Sequence, residues 1–126
     1  MKTFLKALLI CSLLMVMCVF AGEKTLNFTW EQTITPDFAG WNLYKSEVAD
    51  GPYEFFATID YVSEQSEYTS TQLVTVPDGE TTTLYFILSA FDTSGNESDG
   101  SNEASITIDY QPPPIPITLT ITVVTN

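Results

Sequence analysis

Histidine and arginine are absent from the 126-residue sequence, which has only four lysines and two cysteines. The lack of histidine removes the usual general base near neutral pH and the imidazole ligand of metal sites. Both cysteines, Cys11 and Cys18, lie within the first 21 residues, so the rest of the chain has neither a disulfide nor a thiolate nucleophile. Serine and threonine are plentiful, but no base accompanies them in a recognisable arrangement. These absences predict that the protein is not an enzyme and has no catalytic residue, cofactor or metal ligand.

Positive charge is almost missing beyond residue 21, where Lys24 and Lys45 stand against sixteen acidic residues. The formal net charge of that part is therefore −14. Phosphate backbones and anionic membrane surfaces would be repelled, which excludes nucleic acid and such membranes as partners. The acidity is typical of a well-solvated surface; a saline habitat or diffuse cation binding is the alternative.

The N-terminal segment has the three parts of a secretory signal peptide. Lys2 and Lys6 give a positive start, residues 7–20 are almost wholly apolar, and a short run ending at Ala21 suits a signal peptidase. We therefore predict a signal peptide over residues 1–21 and a secreted or cell-surface protein with no membrane span after cleavage. Two alternatives stay open. A retained anchor would need about 20 apolar residues, and a lipoprotein signal would need a small residue before Cys18.

Six segments beyond the signal peptide show the two-residue alternation of β-strands, and none shows a helical period. Turn-forming residues separate them. Two antiparallel sheets packed face to face would bury their apolar sides. The predicted strands are 25–31, 40–45, 53–60, 68–76, 84–92 and 104–110.

The predicted core takes its bulk from Trp30, Trp41 and Phe86. In the third strand Phe55, Ala57 and Ile59 fall on one face. The inward face of the fourth strand stays ambiguous, because the adjacent apolar residues Leu73 and Val74 point opposite ways.

Several of these segments resemble a fibronectin type III domain of the kind found in exported bacterial or phage proteins. Trp30 ends an early strand as the core tryptophan of strand B does, and residues 39–44 (Ala-Gly-Trp-Asn-Leu-Tyr) are similar to strand C. Residues 84–92 are similar to strand F, and residues 92–98 to the loop that follows it. The resemblance implies an immunoglobulin-like β-sandwich over residues 22–110. It also implies that strand A is missing, which would leave one edge of strand B unpaired.

Beyond the domain, residues 111–116 form a proline-rich linker. In residues 117–126 apolar and threonine side chains then alternate without a charge, which predicts one more β-strand. We expect this strand to lie on a sheet edge of the same molecule or, by donation from Ile117–Thr125, of a neighbouring one. The remaining alternative is an unpaired remnant of a second domain.

Two surface features are candidate sites. Tyr44, Tyr85 and Ile87 point away from the core on strands that the resemblance makes neighbours, so they form a candidate binding patch. Cross-strand packing is the competing interpretation. Calcium-loop positions are matched by Asp92, Ser94, Asn96 and Glu103, but Glu97 stands where that motif requires glycine, so an ordinary turn is favoured.

The leading functional prediction is a non-catalytic exported binding or adhesion module that contacts a protein or glycan at the cell surface. The alternative is a structural spacer or assembly subunit that associates through its C-terminal strand. No residue pattern identifies a ligand.

Overall fold

A computed structural model describes residues 21–124 of the chain, without the side chain of Ala21. Six strands and no helix make up this part, which confirms the predicted all-β class. In chain order the strands are β1 (Ala21–Trp30), β2 (Phe38–Ser46), β3 (Glu54–Asp60), β4 (Tyr68–Pro77), β5 (Thr81–Asp92) and β6 (Ala104–Asp109).

The strands form two antiparallel sheets. β1 pairs with β4 in one sheet, and the other has the order β3-β2-β5-β6. Apolar side chains of both sheets meet in one core, so the domain is a β-sandwich, as predicted. The buried members of this core are Leu26, Leu43, Val74, Val76, Leu84, Phe86 and Ile108.

Aromatic side chains tie the sheets together at one end of the core. The rings of Trp30 and Trp41 meet edge to face with 5.1 Å between centroids, and Trp41 is only 2% exposed. Phe28 and Phe86 meet in the same way at 4.9 Å. Contacts of this geometry stabilise beyond the area they bury. The predicted placement in the core is confirmed for Trp41 and Phe86, whereas Trp30 is half-buried and packs on Trp41.

The third strand departs from the predicted alternation. Leu43 pairs with Ala57 but Tyr44 pairs with Phe55, so Phe56 is an extra residue in a β-bulge. The bulge turns Phe55 to the outer side of the sheet, where it is 61% exposed, and Phe56 packs against the core instead. The expectation that Phe55 shares a face with Ala57 is therefore wrong.

In the fourth strand the structure decides between the two possible faces. Val74 and Val76 are buried, whereas Leu73 is 54% exposed. Tyr68 starts the inward set and packs against Trp41 with 4.7 Å between ring centroids. The inward face is therefore the one that carries Val74.

The C-terminal segment corrects the expected pairing within the molecule. Residues 111–124 form no strand, and Ile117, Leu119, Ile121 and Val123 are between 86% and 100% exposed. Residues 125 and 126 of the predicted strand lie outside the described part. Pairing of this segment with another molecule stays a prediction.

The predicted signal peptide over residues 1–21 lies outside the described residues except for Ala21, which begins β1. Within the described part no helix is long and apolar enough to cross a membrane.

Candidate functional site

The three residues of the candidate patch lie together on the outer face of the four-stranded sheet. Tyr44 of β2 is directly opposite Ile87 of β5, and Tyr85 follows two residues away on the same face. All three side chains are half-buried. The predicted grouping is therefore present, and the question is what covers it.

One side of the patch is held by a carboxylate. Glu97, in the turn after β5, accepts hydrogen bonds from the hydroxyls of Ser89 and Tyr44 and, at 3.3 Å, from the amide of Asn42. These bonds, that of Ser89 first, lower the pKa of Glu97, and the bond to Glu97 raises the pKa of Tyr44. Thr58 extends the network to β3 through the Asn42 side chain at 3.0 Å. The Tyr44 hydroxyl is thus committed to the fold.

A second carboxylate holds the opposite side. Glu103, just before β6, accepts hydrogen bonds from the Tyr53 hydroxyl and, at 2.8 Å, from the backbone nitrogen of Asp50. The bond to Glu103 is the main reason that the pKa of Tyr53 rises to about 12. The loop between β2 and β3 is therefore fastened to the start of β6. Neither carboxylate was predicted to hold these loops, and no spacing in the sequence signals a contact across 50 or more positions.

Two serines in the loop between Glu97 and Glu103 attach that loop to the edge of β5. The backbone nitrogen of Ser98 donates to the Ala90 carbonyl at 2.8 Å, and the Ser98 hydroxyl accepts from the Ala90 nitrogen at 2.9 Å. Ser101 repeats this arrangement with Leu88 at 2.7 and 2.9 Å. The loop thus continues the sheet where β6 is absent, because the serine hydroxyl replaces the carbonyl of a regular ladder.

These loop contacts cover part of the patch, at Tyr44 and Ile87. Ile87 lies beneath Gly100, where an added Cβ would be 3.1 Å from its Cδ1 atom. Phe55 and Val48 stay open at 61% and 60% exposure, and the Phe55 ring packs edge to face on Tyr44. The apolar surface available on this face is therefore centred on Phe55, which sequence alternation had placed on the other side.

Of the four calcium-loop residues, Glu103 lies apart from Asp92, Ser94 and Asn96. Asp92 accepts hydrogen bonds from the backbone nitrogens of Ser94 and Asn96 and from the Asn96 amide, each at 2.9 Å. The bond from the Asn96 side chain is the main cause of the lowered pKa of Asp92. Glu103 adjoins Ala104, whose partner on β5 precedes Asp92 by six residues, or about 20 Å. The described residues contain no group of three acidic, histidine or cysteine side chains able to hold a metal.

A groove opens between the two sheets on the side of β1 away from β4. Two adjoining cavities of about 130 and 410 Å³ form it, with β1 as one wall and the segment 98–104 as the other. Both cavities are lined by Trp30 and Leu88. The indole nitrogen of Trp30 is buried and has no hydrogen-bond partner among the described residues.

No family profile and no curated protein matches the chain. Among solved structures, the chain is similar to the crystal structure of a Fn3-like protein from Clostridium thermocellum. The two are 32% identical, the alignment covers 64% of this chain and 73% of that chain, and the TM-score is 0.44.

The strand order of this chain itself defines the class of the fold, an immunoglobulin-like β-sandwich of the fibronectin type III kind. In that scheme β1, β2, β5 and β6 take the places of strands B, C, F and G. Within residues 21–124 no strand takes the place of strand A, in agreement with the prediction.

Proposed function

We propose that the protein is a non-catalytic, exported fibronectin type III module of bacterial or phage type, and that it works as an assembly subunit or spacer. Its association would run through residues 117–124. The observation that carries this proposal is the exposure, at 86% to 100%, of alternating apolar side chains beside a domain with a buried core.

The exposed segment has the features of a donated strand. Ile117, Leu119, Ile121 and Val123 alternate with threonines and are 86% to 100% exposed. Burying one such side chain stabilises a complex by about 1.5–3 kcal/mol. No charged side chain occurs from Gln111 onward, so the strongly acidic domain does not repel this part of the chain.

A non-catalytic role is supported by the use that the fold makes of its carboxylates. Glu97, Glu103 and Asp92 are each engaged by two or more donors of the protein itself. A general acid and base pair needs carboxylates free to exchange protons with a substrate in a cleft.

A matched pair of variants tests the assembly function. Leu119→Asp with Ile121→Asp places two charges on the apolar face of the segment, and Thr120→Asp with Thr122→Asp places them on the other face. Sedimentation velocity should show larger species at rising concentration for the unchanged protein and for the threonine variant, but only monomer for the apolar-face variant. A monomer at every soluble concentration of the unchanged protein would contradict the proposal.

Adhesion to a protein or glycan is the second candidate, and the exposed ring of Phe55 favours it. An aromatic ring that is 61% exposed on a flat sheet face suits stacking against a sugar or an apolar side chain. Glycan-array and cell-binding signals should fall with Phe55→Ala and persist with Leu73→Ala, which removes an equally exposed apolar group from the other sheet. Equal signals for both variants would remove Phe55 from the candidate interface.

A further inference from the structure

One edge of β1 has no partner strand in the described part of the chain. β1 pairs over its ten residues with β4, and no other described strand joins that sheet. An edge of this length offers backbone donors and acceptors to any extended segment. Edges of this kind are the usual receptors for added strands.

The first residues of this edge are already covered by Tyr110. The Tyr110 hydroxyl donates to the Glu23 carbonyl at 2.7 Å, and its ring packs so closely on Gly22 that an added Cβ there would be 2.8 Å away. The Lys24 amine lies 5.5 Å from the centre of the same ring. The accessible part of β1 is therefore Thr25–Trp30.

Beside that accessible part lies the groove between the sheets. Its smaller cavity is lined by apolar side chains that include Phe28, Leu43 and Phe86, and its volume of about 130 Å³ would take one branched aliphatic side chain. The larger cavity adjoins it and is more polar. Trp30 lines both cavities, and its indole nitrogen is buried without a hydrogen-bond partner among the described residues. An extended segment offers alternate apolar side chains to the smaller cavity and backbone donors and acceptors to the free edge of β1.

The length of the linker argues against the chain's own C-terminal segment as the occupant of the groove. Tyr110 lies beside Glu23, and seven residues of stiff linker from there to Ile117 span about 22 Å. The distance from Glu23 to Trp30 along β1 is about 23 Å. A linker that ran along its own β1 would thus bring Ile117 to the end of the strand, and the apolar segment would overshoot it.

We infer that the groove between β1 and the segment 98–104 is the receptor for residues 117–124 of a second copy of this chain. The inference rests on the proposed assembly function and identifies the surface that receives the donated segment. Segment and groove are different surfaces, so each contact is heterologous. Copies then join head to tail and form rings or filaments, depending on whether the rotation closes.

A second matched pair tests the groove. Ala104 lines the smaller cavity, whereas the adjacent Ser105 points to the opposite face of β6 and is exposed. Ala104→Phe should fill the cavity, raise the dissociation constant for self-association about tenfold or more, and leave the unfolding temperature unchanged or higher. Ser105→Phe should associate like the unchanged protein.

A peptide with the sequence of residues 115–124 gives an independent measurement. At concentrations where the unchanged protein is monomeric, the peptide should bind and change the tryptophan emission, because Trp30 and Trp41 both line the larger cavity. The peptide should also dissociate the oligomers formed at high concentration. Saturable binding without any change in emission would overturn the groove assignment, even if Ala104→Phe proves unstable.

The outcomes separate the two proposals. If the segment variant with Leu119→Asp and Ile121→Asp is monomeric while Ala104→Phe folds and associates normally, the assembly function stands and the groove is wrong. If the segment variant still associates, the assembly function itself fails.

Discussion

At the residue scale, the carboxylates of Glu97 and Glu103 stabilise the fold by accepting hydrogen bonds from within the protein. Tyr44 donates to Glu97 and Tyr53 donates to Glu103, so two tyrosine–carboxylate pairs join the loops to the outer face of the four-stranded sheet. In each pair the carboxylate accepts from a second donor, Ser89 in one and the backbone of Asp50 in the other. Charge-assisted bonds of this kind are stronger than neutral ones and fix the loop position.

The Tyr53 pair predicts a loss of stability in alkali. The pKa of Tyr53 is raised to about 12, because the neutral hydroxyl donates to Glu103. A raised pKa stabilises the folded state fully below the unfolded value of about 10 and no longer does so once the pH exceeds about 12. Absorbance titration should show tyrosine ionisation that extends to about pH 12, and Tyr53→Phe should remove the last part of it.

Glu103→Gln is the control for this titration. It removes the negative acceptor, so the pKa of Tyr53 should fall back towards about 10. Titration curves of Tyr53→Phe and the unchanged protein that superimpose between pH about 10 and about 12 would contradict the assignment.

At the scale of the strand, alternation identifies an element more securely than the face it buries. β4 has Leu73 and Val74 side by side, and only the opposing sheet determines that Val74 is buried. β3 changes face at Phe56, because a bulge opposite β2 inserts one residue. Residues 117–124 have a strand pattern but no partner in the described part of the chain. A segment with an alternating sequence becomes a strand only when a neighbouring strand pairs with its backbone.

The two faces of β4 give a direct prediction. Val74→Ala should lower the free energy of unfolding by about 2 kcal/mol, because it removes methyl groups that are 1% exposed and leaves a cavity. Leu73→Ala, one residue away, should change it by less than about 0.5 kcal/mol. Urea denaturation of both variants measures the difference, and equal losses would show that β4 buries the other face.

At the scale of the whole molecule, a two-stranded sheet covers a four-stranded one. The narrow sheet leaves the far strand partly uncovered, so Ile106 of β6 is 42% exposed although its neighbour Ile108 is buried. The same mismatch opens the groove beside β1. The open edge of β1 and the uncharged apolar extension are the two surfaces proposed for association. The negative charge of the domain would keep molecules that are not associated apart.

The proposed export predicts where the mature protein would begin. Cleavage after Ala21 would remove one residue of β1 and leave Gly22 against the Tyr110 ring. N-terminal sequencing of the extracellular protein should begin at Gly22, and Ala21→Arg should retain the uncleaved precursor because signal peptidase requires a small residue there. A mature protein that begins at Cys18 would point to the lipoprotein alternative.

The predictable part of this protein is the part that local patterns control. Two-residue periodicity and turn residues identified the six strands of residues 21–124. The inward position of Trp41 predicted its burial, because a large apolar side chain is stabilised by removal from water. The grouping of Tyr44, Tyr85 and Ile87 followed from strand adjacency. The absence of histidine and arginine, and of cysteine beyond residue 21, limited the possible catalytic and metal-binding groups without any structure.

Tertiary structure alone decided the contacts between distant residues. Glu97 and Glu103 hold side chains 50 or more positions away, the bulge turns Phe55 outward, and the groove arises where two sheets of unequal width meet. The physical reason is the same in each case. A periodic sequence states which side of a segment is apolar, but the register and breadth of the neighbouring strands determine what that side finally contacts.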